Sequence, residues 1–239
     1  MADRAAIRLA VDIAFAAAVV ACGITVYAHT RADDIPDGLC ASTAPAPRYD
    51  EMLADGRITI AAVFGELSGG PADTNAWSYR AFAAALRERG FVEVAPDKLV
   101  LGTMTIDLTL IADDPAQSTA ALAGALASHD VVYYTGHSHD GDIAMSPGDD
   151  YRLIVLDSCW STQHFAKRLL APSRDVITNS EPSVTGSIES FLVLIDALRS
   201  REAWPLAEMN ELAEQRAIRR APLSRFKEPE RYRLDVPCR

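Results

Sequence analysis

Short apolar runs alternate with amphipathic stretches along most of the chain, and the hydrophobic period changes between them. RITIAAVFGEL at 57–67 is short, β-branched and nearly continuous in apolar character, which predicts a strand buried on both faces. AWSYRAFAAALRERG at 76–90 has helical periodicity and ends on Gly90, a residue that suits a helix terminus. LVLGTMTIDLTLIA at 99–112 carries one or two strands in which Thr and Ile alternate, and AQSTAALAGALASHD at 116–130 is a second helix. VVYYTG at 131–136 and YRLIVLDSC at 151–159 are the next two strands, separated by a polar loop through Ser146-Pro147-Gly148. STQHFAKRLL at 161–170 reads as helical, DVITNS at 175–180 as a strand, and VTGSIESFLVLIDALRS at 184–200 as a long helix with Ile188, Leu192 and Ile195 on its apolar face. PLAEMNELAEQRAIRR at 205–220 is a polar amphipathic helix, and the tail from Ser224 is too mixed to assign. This rhythm predicts an α/β fold: a three-layer α/β/α sandwich around a mostly parallel sheet.

The first thirty residues break that rhythm. Arg4 and Arg8 precede a run from Ile13 to Ala28 that carries no charge. It is shorter than the roughly 20 apolar residues a bilayer span wants and matches a secretory or anchoring signal better. Val19-Val20-Ala21-Cys22 resembles the lipobox of bacterial lipoproteins, which makes Cys22 a lipidation candidate, while Val26-Tyr27-Ala28 is a poor ordinary cleavage site. Asp12 beside the run argues against both, and a buried element of the domain is the competing reading. Residues 32–50, with their APAP run, read as an extended tether. The expected organisation is a signal or anchor at 1–30, a tether at 31–52 and one folded domain at 53–239, placed at the cell envelope, with a cytoplasmic protein as the alternative.

Charge and cysteine content narrow the partners. With 33 acidic against 23 basic side chains and a net charge of -10, the chain lacks the basic excess that would track a nucleic-acid backbone, so nucleic acid is not an expected partner. A chain of 239 residues buries enough core to fold without staples, so its 4 cysteines invite separate explanations. Cys40 and Cys238 are the pair available for a disulfide in an exported protein.

In open parallel sheets ligands bind beyond the carboxyl ends of the strands. There the chain offers Thr135-Gly136-His137-Ser138-His139-Asp140 and Asp157-Ser158-Cys159-Trp160-Ser161. A thiol near an imidazole and a helix start ionises more readily and becomes a strong nucleophile. Cys159 would be that nucleophile and His137 the general acid, with the backbone N–H groups of Ser138 and Cys159 holding the oxyanion. The plainer alternative is an inert buried cysteine beside a hydrogen-bonded histidine. His139 is a second candidate for the base.

An apolar strand ending in His, followed by an apolar strand ending in Cys, resembles the caspase-like cysteine peptidases, the clan of caspases, legumain, gingipains, clostripain and separase. DVVYYTGHS and LIVLDSCWS carry the resemblance, which extends over roughly Arg57 to Ser200. It implies an α/β sandwich, endopeptidase activity on protein or peptide substrates without a cofactor or metal, and preference at the residue before the cut. Two departures stand out: Ser138 replaces the usual Gly, and His137 and Cys159 are much closer in sequence than the roughly 50 residues of caspases proper. In the clan the specificity pocket follows the strand ends, which points here to Glu66, Asp140, Asp157 and Glu181. Such an acidic pocket would favour Arg or Lys in the substrate.

Three other readings compete. GHSHDG resembles the nucleophile elbow of α/β-hydrolases with Ser138 as nucleophile, although Asp140 stands where the last Gly belongs. Gly136-His137-Ser138-His139 matches the closing GHxH of calcineurin-like metallophosphoesterases, but that family's earlier ligand motifs are missing. A caspase-like binding module without activity would keep the same strands.

Overall fold

A computed structural model describes residues 46–65, 73–111, 114–138, 150–159, 161–171, 173–179, 188–209, 211–212 and 234–235. All of them belong to one compact unit, 37–239, and the second unit, 1–36, contains none of them. The apolar run, Cys22, Cys40, Cys238 and most of the tether thus lie outside the described residues. Among the described residues, no helix is long and apolar enough to cross a membrane.

The chain is an α/β sandwich built on an open, mostly parallel sheet. The strands are β1 (Ile58–Phe64), β2 (Val92–Ala95), β3 (Lys98–Leu101), β4 (Met104–Leu110), β5 (Val131–Thr135), β6 (Arg152–Asp157), β7 (Arg174–Asn179) and the two-residue β8 (Leu234–Asp235). They lie in the order β2-β3-β4-β1-β5-β6-β7-β8. The five central strands, β4, β1, β5, β6 and β7, run parallel, while β2, β3 and β8 pair antiparallel at the two margins. Central position explains the composition: β5 and β7 are buried at every residue, and so cannot alternate apolar with polar.

The helices are α1 (Tyr49–Met52), α2 (Asp73–Glu88), α3 (Pro115–Ser128), a π-helical turn (Thr162–Ala166) running into α4 (Lys167–Leu169), and α5 (Ile188–Ser200). Residues 206–209 and 211–212 are also helical. Alternation along the strands sends Ile60, Ala62 and Phe64 of β1, Tyr133 of β5 and Val155 of β6 into one main core with Phe82 and Leu86 of α2 and Phe191 and Ile195 of α5. Four rings form its centre: Tyr133 lies parallel to Phe191 at 4.1 Å, and both approach Phe82, which touches Phe64. On the opposite face Tyr134 meets Phe165 of the π-helical turn edge-on at 6.5 Å.

Local signals place the helix that precedes β5. Asp114 caps α3, accepting from the backbone N–H of Ala116 at 2.9 Å and Gln117 at 3.3 Å, and Pro115 follows at the first helical position. At the other end the Arg152 guanidinium, on β6, donates to the carbonyls of His129 and Ala127, so β6 holds the end of α3 against the sheet.

Three sequence expectations change. The folded body begins before residue 53: Met52 is in the main core, the Tyr49 hydroxyl donates to the Glu202 carbonyl at 2.7 Å, and the Arg48 guanidinium lies 4.2 Å above the Tyr151 ring. VEVA at 92–95, unassigned from its pattern, is an edge strand whose four residues are all exposed, and burial therefore leaves no trace in its sequence. STQHFAKRLL is not a regular α-helix but a π turn followed by a single α turn.

Candidate functional site

The pairing of β5 with β6 brings the two motifs together. The parallel register runs from Val131↔Leu153 to Thr135↔Asp157, so His137 and Cys159 each stand two residues beyond the last matched pair. Both are partly exposed, and Cys159 is in no disulfide. The loops are tied to each other past the end of the ladder. The Ser138 hydroxyl donates to the Cys159 carbonyl and lies 3.0 Å from the Ser158 hydroxyl. A serine hydroxyl carries one hydrogen and a carbonyl can only accept, so Ser158 is the donor to Ser138. The chain of hydrogen bonds runs from Ser158 through Ser138 to the Cys159 carbonyl.

This geometry weighs against Ser138 as the nucleophile of a hydrolase elbow. Its hydroxyl hydrogen is directed to a carbonyl, whereas a serine nucleophile presents it to a base. The Ser138 backbone N–H, by contrast, has no backbone acceptor among the described residues.

Tyr134 supports the histidine loop from beneath. Its hydroxyl donates to the His137 carbonyl at 2.8 Å, and its ring lies across the tips of β1 and β5, where Gly65 and Gly136 leave room for it. A Cβ at Gly136 would fall 2.7 Å from the Tyr134 Oη and 3.1 Å from the Gly65 Cα; one at Gly65 would fall 2.7 Å from the ring. The buried Asn75 amide of α2 donates to the Gly65 carbonyl, and the Gly65 N–H donates to Thr135 at 2.8 Å. Replacing Gly136 by alanine is therefore expected to cost about 1–3 kcal/mol of stability. It would also lower any activity of the site, because the phenol must withdraw from His137. Thermal unfolding and turnover of the variant measure both effects, and an alanine variant equal to the parent would show that the ring yields freely.

The cysteine loop is held from the other side. The buried Ser161 hydroxyl donates to the Leu156 carbonyl at 2.7 Å and accepts from the Asn179 N–H at 2.7 Å, joining the ends of β6 and β7 where they diverge. The Thr162 and Thr178 hydroxyls meet at 2.8 Å. These bonds fix where the chain turns after Cys159. The helix that Cys159 enters is only a π turn and one α turn, so support for a thiolate from a helix dipole comes from a shorter element than its sequence suggests. π turns recur at functional positions in helices.

The acidic specificity pocket loses one of its members. Asp157 is not a strand-end carboxylate open to substrate: it is only 2% exposed, and the Tyr133 hydroxyl donates to it at 3.3 Å. Alternation along β6 sends Asp157 to the same face as Leu153 and Val155, beside Thr135 and beneath the histidine and cysteine loops. Glu66, His139, Asp140 and Glu181 lie outside the described residues. Among the described residues, no cluster of three or more His, Cys, Asp or Glu is arranged to hold a metal ion.

Sequence reasoning singled out His137, Ser138 and Cys159 but gave no role to Tyr134, Gly65, Gly136, Asn75, Ser161 or Thr162. A glycine directly after each of two buried strands was the available signal for close approach at the tips. Nothing in the pattern pointed to the hydroxyl clamp. Compared with family models, curated proteins and solved structures, the chain finds no match.

Proposed function

We propose that the protein is a cysteine endopeptidase of the caspase-like type, with Cys159 as nucleophile and His137 as general acid and base. The observation that carries this reading is the in-register end of β5 and β6 at Thr135 and Asp157, since His137 and Cys159 each follow two residues beyond that matched pair. The partly exposed Cys159, which is in no disulfide, and a Ser138 N–H with no backbone acceptor among the described residues also support it.

In this mechanism the Cys159 thiolate attacks the scissile carbonyl carbon and a C–S bond forms. The carbonyl oxygen takes the negative charge and is met by the N–H groups of Ser138 and Cys159. As the C–N bond breaks, the His137 imidazolium gives its proton to the departing amine, leaving a thioester. Water then attacks the thioester, losing a proton to neutral His137, and release of the acid returns the thiol–imidazole pair. No cofactor enters these steps. Glu66, Asp140 and Glu181 retain the proposed preference for Arg or Lys before the cut. Placement at the cell envelope, with an anchor at 1–30 and Cys22 as its lipidated residue, rests on the apolar run alone.

A panel of fluorogenic peptides with basic, acidic and apolar residues before the cleaved bond tests the proposal. The expected result is cleavage after Arg or Lys, stopped by iodoacetamide with one label on Cys159. Cleavage that survives complete alkylation of Cys159 would remove the thiol mechanism, and cleavage after Asp alone would remove the acidic pocket.

A further inference from the structure

We infer that the Ser138 side chain is a positioning residue that sets the span of the oxyanion hole. The inference rests on the peptidase reading and concerns a residue where this chain departs from the glycine usual in the family it resembles. The two N–H groups assigned to the oxyanion belong to Ser138 on the β5 loop and Cys159 on the β6 loop. The backbone ladder that could hold those loops together ends at Thr135↔Asp157, before either residue. Beyond it, the Ser138 hydroxyl spans the gap to the Cys159 carbonyl, so the bond joins the same two residues that must present their N–H groups to one oxygen.

The hydroxyl is itself held from behind. Ser158 is 1% exposed and donates to Ser138 at 3.0 Å, so the Ser138 rotamer is set by a buried neighbour rather than by solvent. With its hydrogen directed at the Cys159 carbonyl, the Ser138 side chain leaves its own backbone N–H to the substrate. A glycine here would leave that N–H in place but remove the bond between loops. An oxyanion hole stabilises the transition state only when its donors are already placed, since donors that must reorganise lose much of their effect.

The test measures hydrolysis of an Arg- or Lys-containing peptide by the full chain and its Ser138→Ala, Ser138→Gly and Ser138→Thr variants. Melting temperature and the rate of Cys159 alkylation by iodoacetamide are read alongside. Alkylation forms no oxyanion and reports the thiol alone. The expected result is a fall in kcat of about 10- to 100-fold for the alanine and glycine variants. KM and alkylation rate should stay within about twofold, because only a transition-state contact is lost. The threonine variant, which keeps a hydroxyl, should recover most of kcat.

An undiminished kcat in Ser138→Ala would overturn the inference. So would alkylation that slows in proportion to kcat, which marks a general displacement of the loops, or a threonine variant that folds normally yet turns over no faster than alanine. Failure of the peptidase reading looks different: Cys159→Ala would still cleave. Complete loss of activity in Ser138→Ala alongside it would identify a serine nucleophile.

Discussion

Alanine at position 159 is expected to lower peptide hydrolysis by about 10⁴-fold or more while leaving the fold intact. The attacking atom is removed outright, and neither a water nor the Ser138 hydroxyl replaces it. The structural cost is small, because Cys159 is partly exposed and the residues that close the core beneath it, Leu156, Asp157 and Ser158, are untouched. His137→Ala should cost a similar factor, since an isolated thiol near neutral pH is mostly protonated and the leaving amine would lack an acid. The two losses should not add: once either partner is gone the other has nothing to act with, so the double variant should resemble the worse single one. Active-site titration with iodoacetamide beside peptide turnover provides the check. A Cys159→Ala protein that still cleaves at a tenth of the parental rate would exclude Cys159 as nucleophile.

The largest effect on stability is expected at Phe191, near the start of α5. Its ring is wholly buried, lies parallel to Tyr133 at 4.1 Å with 7° between the planes, and is 5.6 Å from Phe82 of α2. Truncation to alanine removes apolar area from the centre of the stack and leaves a void that rings anchored on three elements cannot easily close. The expected loss is about 3–5 kcal/mol. Tyr133 is also the donor to Asp157, so the void opens beside the strand end that carries Cys159. Activity should therefore fall even in the fraction that remains folded. Urea unfolding of Phe191→Ala measures the effect, and a loss below about 1 kcal/mol would mean that the layer repacks.

Tyr133 and Tyr134 divide the two faces of the sheet between them. Tyr133 enters the aromatic core and meets Asp157, while Tyr134 turns to the opposite face, fills the space left by Gly65 and Gly136, and holds the His137 carbonyl. Adjacent strand residues point to opposite faces, so one dipeptide supports both the buried carboxylate and the histidine loop. The polar layer above it, Ser138, Ser158 and Ser161, then spans β5, β6 and β7 without relying on long side chains. Short hydroxyl side chains lose little conformational freedom when ordered, which suits them to holding loops in register.

The amino-acid sequence by itself determined the layer architecture, because continuous apolar runs such as VVYYT and RLIVLD can be satisfied only by burial on both faces, and helical periods between them supply the cover. It also determined that a histidine and a cysteine would leave the carboxyl ends of successive core strands. Tertiary structure alone decided the rest. β8 is a two-residue strand found through its pairing with β7, and β2, exposed at all four residues, is found through its pairing with β3. Asp157 looked like an exposed strand-end acid because burial of a carboxylate depends on a partner 24 residues away in sequence, the Tyr133 hydroxyl. The role of Ser138 depends in the same way on where the Cys159 carbonyl lies. Periodicity reports which face a residue takes along its own strand; the register between strands decides which polar groups meet, and that register is set by packing across the whole sheet.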